Sequence, residues 1–193
     1  MDDLGVDLLS IAGHKLYAPK GVGAPYIRTG VALESVLRGA GHERGLRPGT
    51  ENVASIVGLG VACEIARTTL SRETSRLRRL RDLLWERLQG AVPDAATNGH
   101  PTERLPNTLN VRFPGVRGSE VLARAPGIAA STGSACHEGG ESPSAVLTAM
   151  GLEADAALGS VRISLGRGTK RKEVLQYSEA LAEAWRAAKE GTS

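Results

Sequence analysis

A helical pattern through residues 52–89 constrains the fold more than any other feature of this 193-residue sequence. Its apolar residues recur at steps of three and four, which places them on one face of a helix. They are Val53, Ile56, Val57, Gly60, Val61 and Ile65, and then Leu70, Leu77, Leu80, Leu84 and Leu88. Because a helix this long often joins a larger domain to a smaller one, we predict a boundary near residues 69–72. Residues 1–70 and 71–193 would then form two domains.

The polar faces of the second half of this helix are rich in arginine: Arg72, Arg76, Arg78, Arg79 and Arg81. Such a run could bind nucleic acid or an acidic partner, but neighbouring carboxylates balance it, and the pattern favours a solvated face. The whole chain has 24 basic and 21 acidic residues and only 3% aromatic residues. This composition gives no polybasic or stacking surface for nucleic acid. We therefore expect no nucleic-acid partner.

Membrane attachment and disulfide bonding are not expected either. No apolar run looks long enough to span a bilayer, and the acidic start Met1-Asp2-Asp3 is unlike a signal peptide. Cys63 and Cys136 are far apart and form no CxxC motif, which indicates a reducing, cytoplasmic compartment. Cys63 falls inside the helical pattern and is predicted to be a small buried side chain.

The first candidate functional residue is Lys15. The apolar run from Leu8 ends in Gly13-His14-Lys15, which fits a buried strand that opens into a loop, where ligand sites of α/β folds lie. A second strand is expected over residues 23–28, where Pro25 favours an edge strand or the entrance of a strand. Lys15 could be a desolvated nucleophile that forms a Schiff base. The alternative is an ordinary loop lysine in solvent, and this stretch alone does not decide between them.

A glycine- and arginine-rich loop at residues 39–52 is the second candidate. Arg44, Arg47 and the Thr50 hydroxyl could form an anion cradle with the N-terminus of the following helix. The loop fits no Walker or dinucleotide fingerprint. A surface connector remains an equally good interpretation.

The C-terminal part combines short strands and helices. Residues 107–113 alternate as a half-buried strand, 118–125 form a short helix, a helix starts at Ser142-Pro143-Ser144, and 170–189 form an amphipathic closing helix. Arg162 lies between apolar neighbours in a strand at 159–166, so its burial would require a carboxylate from the protein or from a ligand.

The loop around Cys136 is the remaining candidate site. Small residues and Gly139-Gly140 surround Cys136, and the adjacent His137 would favour its thiolate. A reactive thiol and a silent surface cysteine are both open interpretations. No second ligand pair stands at zinc-like spacing, so no metal site is expected.

Five motifs together resemble the cysteine desulfurase and selenocysteine lyase family of class V, fold-type I pyridoxal phosphate (PLP) enzymes. They are Ser-Ile-Ala-Gly-His14-Lys15, His42-Glu-Arg-Gly-Leu-Arg-Pro-Gly-Thr50-Glu-Asn, Leu105-Pro-Asn-Thr-Leu-Asn110, Gly133-Ser-Ala-Cys136-His and Ser160-Val-Arg162-Ile-Ser-Leu-Gly-Arg. The resemblance runs essentially end to end and in family order. It implies an α/β fold: part of the fold-type I large domain in residues 1–70, and a long helix with a small α+β domain in residues 71–193.

The resemblance also implies roles for five residues. Lys15 would carry PLP covalently, His14 would lie in the cofactor pocket, and Thr50 would reach the cofactor phosphate of a partner subunit in a homodimer. Cys136 would be the nucleophile that takes sulfur from the substrate, and Arg162 would hold the substrate α-carboxylate. The implied reaction converts L-cysteine, or L-selenocysteine, to L-alanine and leaves a persulfide on Cys136 for an acceptor protein, as in iron–sulfur cluster assembly.

Two departures from the family pattern qualify this expectation. Ala12 stands where many members have a phosphate-binding serine, and family chains carry a long segment before the lysine that supplies the residue stacked on the PLP ring and the carboxylate at its nitrogen. The chain therefore looks like a C-terminal half with little or no turnover alone. The alternative is a non-catalytic module that pairs with a full-length homologue or a sulfur-acceptor scaffold.

Overall fold

A computed structural model describes residues 1–133 and 141–191. The chain divides into two compact units, Met1–Leu70 and Ser71–Ser193. One helix, α1 (Val53–Ala91), contributes residues to both. The long helix predicted for residues 52–89 is confirmed as a single uninterrupted element.

The first unit contains a two-stranded antiparallel sheet. Strand β1 (Leu8–Ala12) pairs with β2 (Gly23–Ile27). Pro25 lacks a backbone donor and is accommodated because β2 has only one neighbouring strand. Single 3-10 turns at Asp2–Leu4, Gly13–Leu16 and Glu43–Gly45 shape the loops. The prediction of a buried strand before Lys15 is wrong in part, because the strand forms but its residues alternate between exposed and half-buried.

The apolar face of α1 in the first unit is mostly uncovered. Leu59 and Ala62 are buried, but six large apolar side chains are exposed: Val53, Ile56, Val57, Val61, Ile65 and Leu70. Cys63 is exposed as well, so the prediction that it is buried is wrong. The periodicity identified the helix correctly, but it could not say which surface covers its apolar face.

The expectation that no apolar run could span a bilayer is wrong for helix α1. By length and composition alone this helix could cross a membrane: a stretch of 18 residues within it has a mean hydropathy of 1.5, and 11% of that stretch is buried. Core helices of soluble proteins share this length and composition. The exposed face therefore calls for an apolar covering surface.

The second unit has a complete core. Strands β3 (Ala96–Thr97), β4 (Thr108–Arg112) and β5 (Ser160–Ser164) form an antiparallel sheet in that order. The helices are α2 (Gly118–Ala123), α3 (Ala145–Ala149), α4 (Ala154–Leu158) and α5 (Arg171–Glu190). One face of the sheet packs with the second half of α1 and with α5, and burying their apolar surface stabilises the unit. The buried residues at this contact include Leu84, Leu88, Leu109, Val111, Val161, Ile163, Leu181 and Trp185.

Candidate active site

Lys15 and His14 lie on the 3-10 turn that directly follows β1. Gly13 is the first residue of this turn. Its N–H donates to the Val22 carbonyl at 2.9 Å, and a Cβ added at Gly13 would lie 2.7 Å from that oxygen. Only glycine fits this close backbone approach. Tyr17 ends the turn in the left-handed region, with φ of 65°.

The Lys15 turn is also braced by the following loop, in which Pro19 packs against α1. The Cδ and Cγ atoms of Pro19 lie 3.0 Å from where a Cβ of Gly58 would be. The side chains of His14 and Lys15 are exposed, so the possibility that Lys15 is desolvated does not hold for the chain by itself. Within the described residues, neither side chain has an ion-pair partner. The turn therefore presents a free primary amine beside an imidazole.

The loop at residues 39–52 is organised by its own hydrogen bonds. Arg47 Nε donates to Glu43 at 2.7 Å, and Arg47 Nη1 reaches the carbonyls of Gly49 and Thr50 at 3.0 and 3.4 Å. The bond from Arg47 holds the pKa of Glu43 below its usual range and raises that of Arg47. The guanidinium of Arg47 is thus engaged within the loop.

One N–H at the N-terminus of the helix next to this loop has a partner too, because Asn52 Oδ1 accepts the Ser55 N–H at 3.1 Å and caps α1. Arg47 and the Ser55 N–H therefore already have partners within the chain, and the anion cradle stays a prediction. The Thr50 side chain remains exposed. Of the predicted cradle, the Thr50 hydroxyl and Arg44 stay available to a ligand.

Arg162 lies on β5, on the face of the sheet opposite the core. Val161 and Ile163 point into the core, and Arg162 is exposed. The structure thus answers the question of burial, since strand alternation turns Arg162 away from its apolar neighbours. No carboxylate of the described residues forms an ion pair with Arg162. Its guanidinium is available to a ligand.

A row of polar residues crosses the sheet at Arg162. Asn110 of β4 is its cross-strand partner, and Ser131 forms an isolated bridge on its other side, with bonds of 2.6 and 3.1 Å between the backbones of Ser131 and Arg162. Ser131 Oγ accepts the Gly133 N–H at 3.1 Å, at the last described residue before the Cys136 segment. Asn98 continues the row beyond Asn110, because its N–H donates to the Asn110 carbonyl at 3.0 Å.

The structure groups the predicted residues into two sets. His14, Lys15 and Thr50 belong to the first unit and Arg162 to the second, while Cys136 and His137 lie outside the described residues. Sequence reasoning did not single out Asn98 or Asn110 as site residues. Strand alternation through residues 107–113 would have placed Asn110 on the polar face, but only the register reveals that it stands opposite Arg162.

Comparison with known proteins identifies the family. The family model described as aminotransferase class-V, which represents the sequences of that family, matches residues 1–177 of this chain. The chain belongs to this family. This class V chain is 49% identical over 164 residues to a cysteine desulfurase of Gluconacetobacter diazotrophicus, covering 84% of the chain and 41% of that protein. It is 47% identical over 171 residues to the cysteine desulfurase NifS of Azotobacter vinelandii, covering 88% and 42%.

Solved structures agree with the family assignment. A NifS-like protein matches with a TM-score of 0.83 and 37% identity, over 95% of this chain and 47% of that one. A NifS-like protein of Rickettsia africae matches with a TM-score of 0.85 and 28% identity, over 96% and 49%. The predicted resemblance and the partial fold-type I α/β fold are confirmed. The class V chain spans slightly less than half the length of these relatives.

Proposed function

We propose that this class V chain takes part in the PLP-dependent removal of sulfur from L-cysteine, or of selenium from L-selenocysteine, to give L-alanine and a persulfide on Cys136. The observation that carries the proposal is Arg162, a guanidinium on the open face of β5 without a carboxylate partner among the described residues. A planar guanidinium binds a carboxylate through two parallel hydrogen bonds. Relatives named cysteine desulfurase support the choice of substrate.

The residues of the first unit fit PLP chemically. Lys15 offers an exposed amine for the cofactor aldehyde, His14 stands next to it, and Thr50 offers an exposed hydroxyl for a phosphate. PLP supplies an electron sink to the substrate amino acid when it is bound. The protein's own contribution is to hold that amino acid through Arg162 and to accept its sulfur on the Cys136 thiolate.

Turnover by the chain alone is expected to be very low. The chain spans 41% and 42% of the two cysteine desulfurases, so more than half of the length of these relatives has no counterpart in it. The test is to mix the purified chain with PLP and L-cysteine and to measure alanine and sulfide. At most stoichiometric alanine is expected, and multiple turnovers that disappear in Lys15→Ala would refute this expectation.

The absorbance spectrum after addition of PLP tests the cofactor role directly. A new visible band is expected from covalent attachment, and it should be lost in Lys15→Ala. Lys20→Ala is the matched control, because Lys20 is an exposed lysine of the same loop. Equal bands in all three proteins would show that attachment is non-specific and would contradict the role of Lys15.

A homodimer and a cytoplasmic location belong to the same proposal. Of the sixteen described large apolar side chains that are exposed, thirteen lie in the first unit, and a protein surface must cover them. The same observation favours the second candidate, a non-catalytic module that pairs with a full-length homologue or with a sulfur-acceptor scaffold. Sedimentation of the pure chain tests the homodimer: a dimer supports it and a monomer excludes it. Co-purification from cells tests the second candidate: recovery with a homologue or scaffold supports it, and recovery of the chain without any partner excludes it.

A further inference from the structure

Asn110 has the properties of a second carboxylate-binding residue beside Arg162. The two residues are direct cross-strand partners, and both side chains lie on the open face of the sheet. The Arg162 N–H and C=O both point to Ser131, and the Asn110 C=O points to Asn98. The Asn110–Arg162 pair is therefore of the type without mutual backbone bonds, in which the side chains stand closest together.

A chain of hydrogen bonds fixes which end of the Asn110 amide is free. Ser160 Oγ uses its one proton to donate to the Ala156 carbonyl at 2.8 Å. It can therefore only accept from Asn98 Nδ2, also at 2.8 Å. The second proton of the same Asn98 nitrogen goes to Asn110 Oδ1 at 2.8 Å. This assignment leaves the donor end of Asn110, its Nδ2, facing away from Asn98.

The cross-strand partner of this free donor end is the cationic residue Arg162. Among the described residues, Asn110 Nδ2 donates to no acceptor, and Arg162 has no carboxylate partner. Two donor groups side by side cannot bond to each other, since both lack an acceptor in this orientation. An anion with two oxygens, such as a carboxylate, complements both donors at once.

We propose that Asn110 Nδ2 donates a hydrogen bond to the α-carboxylate of the amino acid bound by Arg162, and that Asn98 and Ser160 are positioning residues that fix the Asn110 amide. This inference rests on the proposed carboxylate role of Arg162. It gives the buried Asn98, which is 7% exposed, a function besides its contribution to the sheet. Asn98 and Ser160 keep the donor of Asn110 aimed at the ligand, so less ordering is needed on binding.

The test is nuclear magnetic resonance of the whole ¹⁵N-labelled chain titrated with L-alanine. The Asn110 Nδ2 and Arg162 Nε signals are identified by their loss in Asn110→Ala and Arg162→Lys. Both signals are expected to shift with L-alanine and to stay in place with ethylamine, which lacks the carboxylate. Asn110→Ala should weaken L-alanine binding about tenfold or more, as for a hydrogen bond to a charged group. Ser164→Ala is the matched control on the same face and should change binding less than twofold.

Each result has a distinct meaning. A shift of Arg162 alone, or an Asn110 shift that also occurs with ethylamine, overturns the role of Asn110 and leaves the proposed function standing. If neither signal moves with L-alanine, the carboxylate role of Arg162 fails and this inference fails with it. In Asn98→Ala, the Arg162 shift should persist and the Asn110 shift should shrink. An unchanged Asn110 shift would remove Asn98 as a positioning residue.

Discussion

Arg76 is expected to be a principal stabilising residue of the second unit. Its guanidinium donates to three carbonyls of the turn between β5 and α5, at 2.7 Å to Thr169, 3.2 Å to Gly166 and 3.1 Å to Arg167. It also pairs with Glu73 at 2.8 Å. Replacing Arg76 by alanine removes one fork of donors that ties α1 to a turn about ninety residues away in sequence.

The expected loss follows from these bonds. A hydrogen bond from a charged donor contributes about 1.5–3 kcal/mol, but the Arg76 side chain is 28% exposed, so water can replace part of what Arg76→Ala removes. We expect a loss of about 2 kcal/mol in the free energy of unfolding. The free energy of unfolding of Arg76→Lys should lie between those of the wild type and Arg76→Ala, because an ammonium cannot reproduce the planar fork of donors. Arg72→Ala is the matched control: its side chain is 77% exposed and lies 3.7 Å from Glu73, which predicts a change within about 0.5 kcal/mol.

Urea unfolding followed by tryptophan fluorescence measures these changes, since both tryptophans, Trp85 and Trp185, belong to the second unit. The bond from Arg76 holds the pKa of Glu73 below its usual range. The stability that this bond contributes is fully present above the ordinary carboxyl pKa, and it is lost as the pH falls through the lowered pKa of Glu73. The difference in the free energy of unfolding between the wild type and Arg76→Ala should therefore become smaller at acid pH. A midpoint for Arg76→Ala equal to that of Arg72→Ala would refute this reasoning.

Three other outcomes test the packing, the turn and the loop. Phe113→Ala should cost about 3–5 kcal/mol in urea unfolding, because the ring is 1% exposed in the core. Gly13→Ala should speed amide hydrogen exchange across β1 and β2, since its Cβ would meet the Val22 carbonyl; unchanged exchange would contradict the tight turn. Arg47→Ala should raise the pKa of Glu43 toward its usual value in a carboxyl titration, and an unmoved pKa would exclude their bond.

The sequence predicts the second unit well because each apolar pattern finds its partner inside the same unit. Leu109 and Val111 alternate toward the core, where they belong to the same buried cluster as Leu181 of α5. In the first unit the same reasoning identified the helix at Val53 but not its exposure. A pattern identifies the apolar face of a helix, and the covering surface depends on parts of an assembly that the pattern does not contain.

The sequence indicates single candidate residues for the site but not their neighbours. Lys15 and Arg162 stand out because their residue types interrupt apolar runs. The pairing of Asn110 with Arg162 depends on the register of strands about fifty residues apart, and no local pattern encodes that register. The engagement of Arg47 has a different, local origin: the backbone conformation of its own loop brings Glu43, Gly49 and Thr50 to its guanidinium.

Because the candidate site residues are exposed, substitutions at these positions can test function without destabilising the fold. Lys15, Thr50 and Arg162 are all exposed, so replacing any of them by alanine removes no buried contact and leaves no buried group unpaired. We expect changes within about 0.5 kcal/mol in the free energy of unfolding for each. A loss of cofactor attachment or carboxylate binding in these variants would then report chemistry, not unfolding. A destabilisation comparable to that of Phe113→Ala would instead mean that the residue is buried in the native assembly.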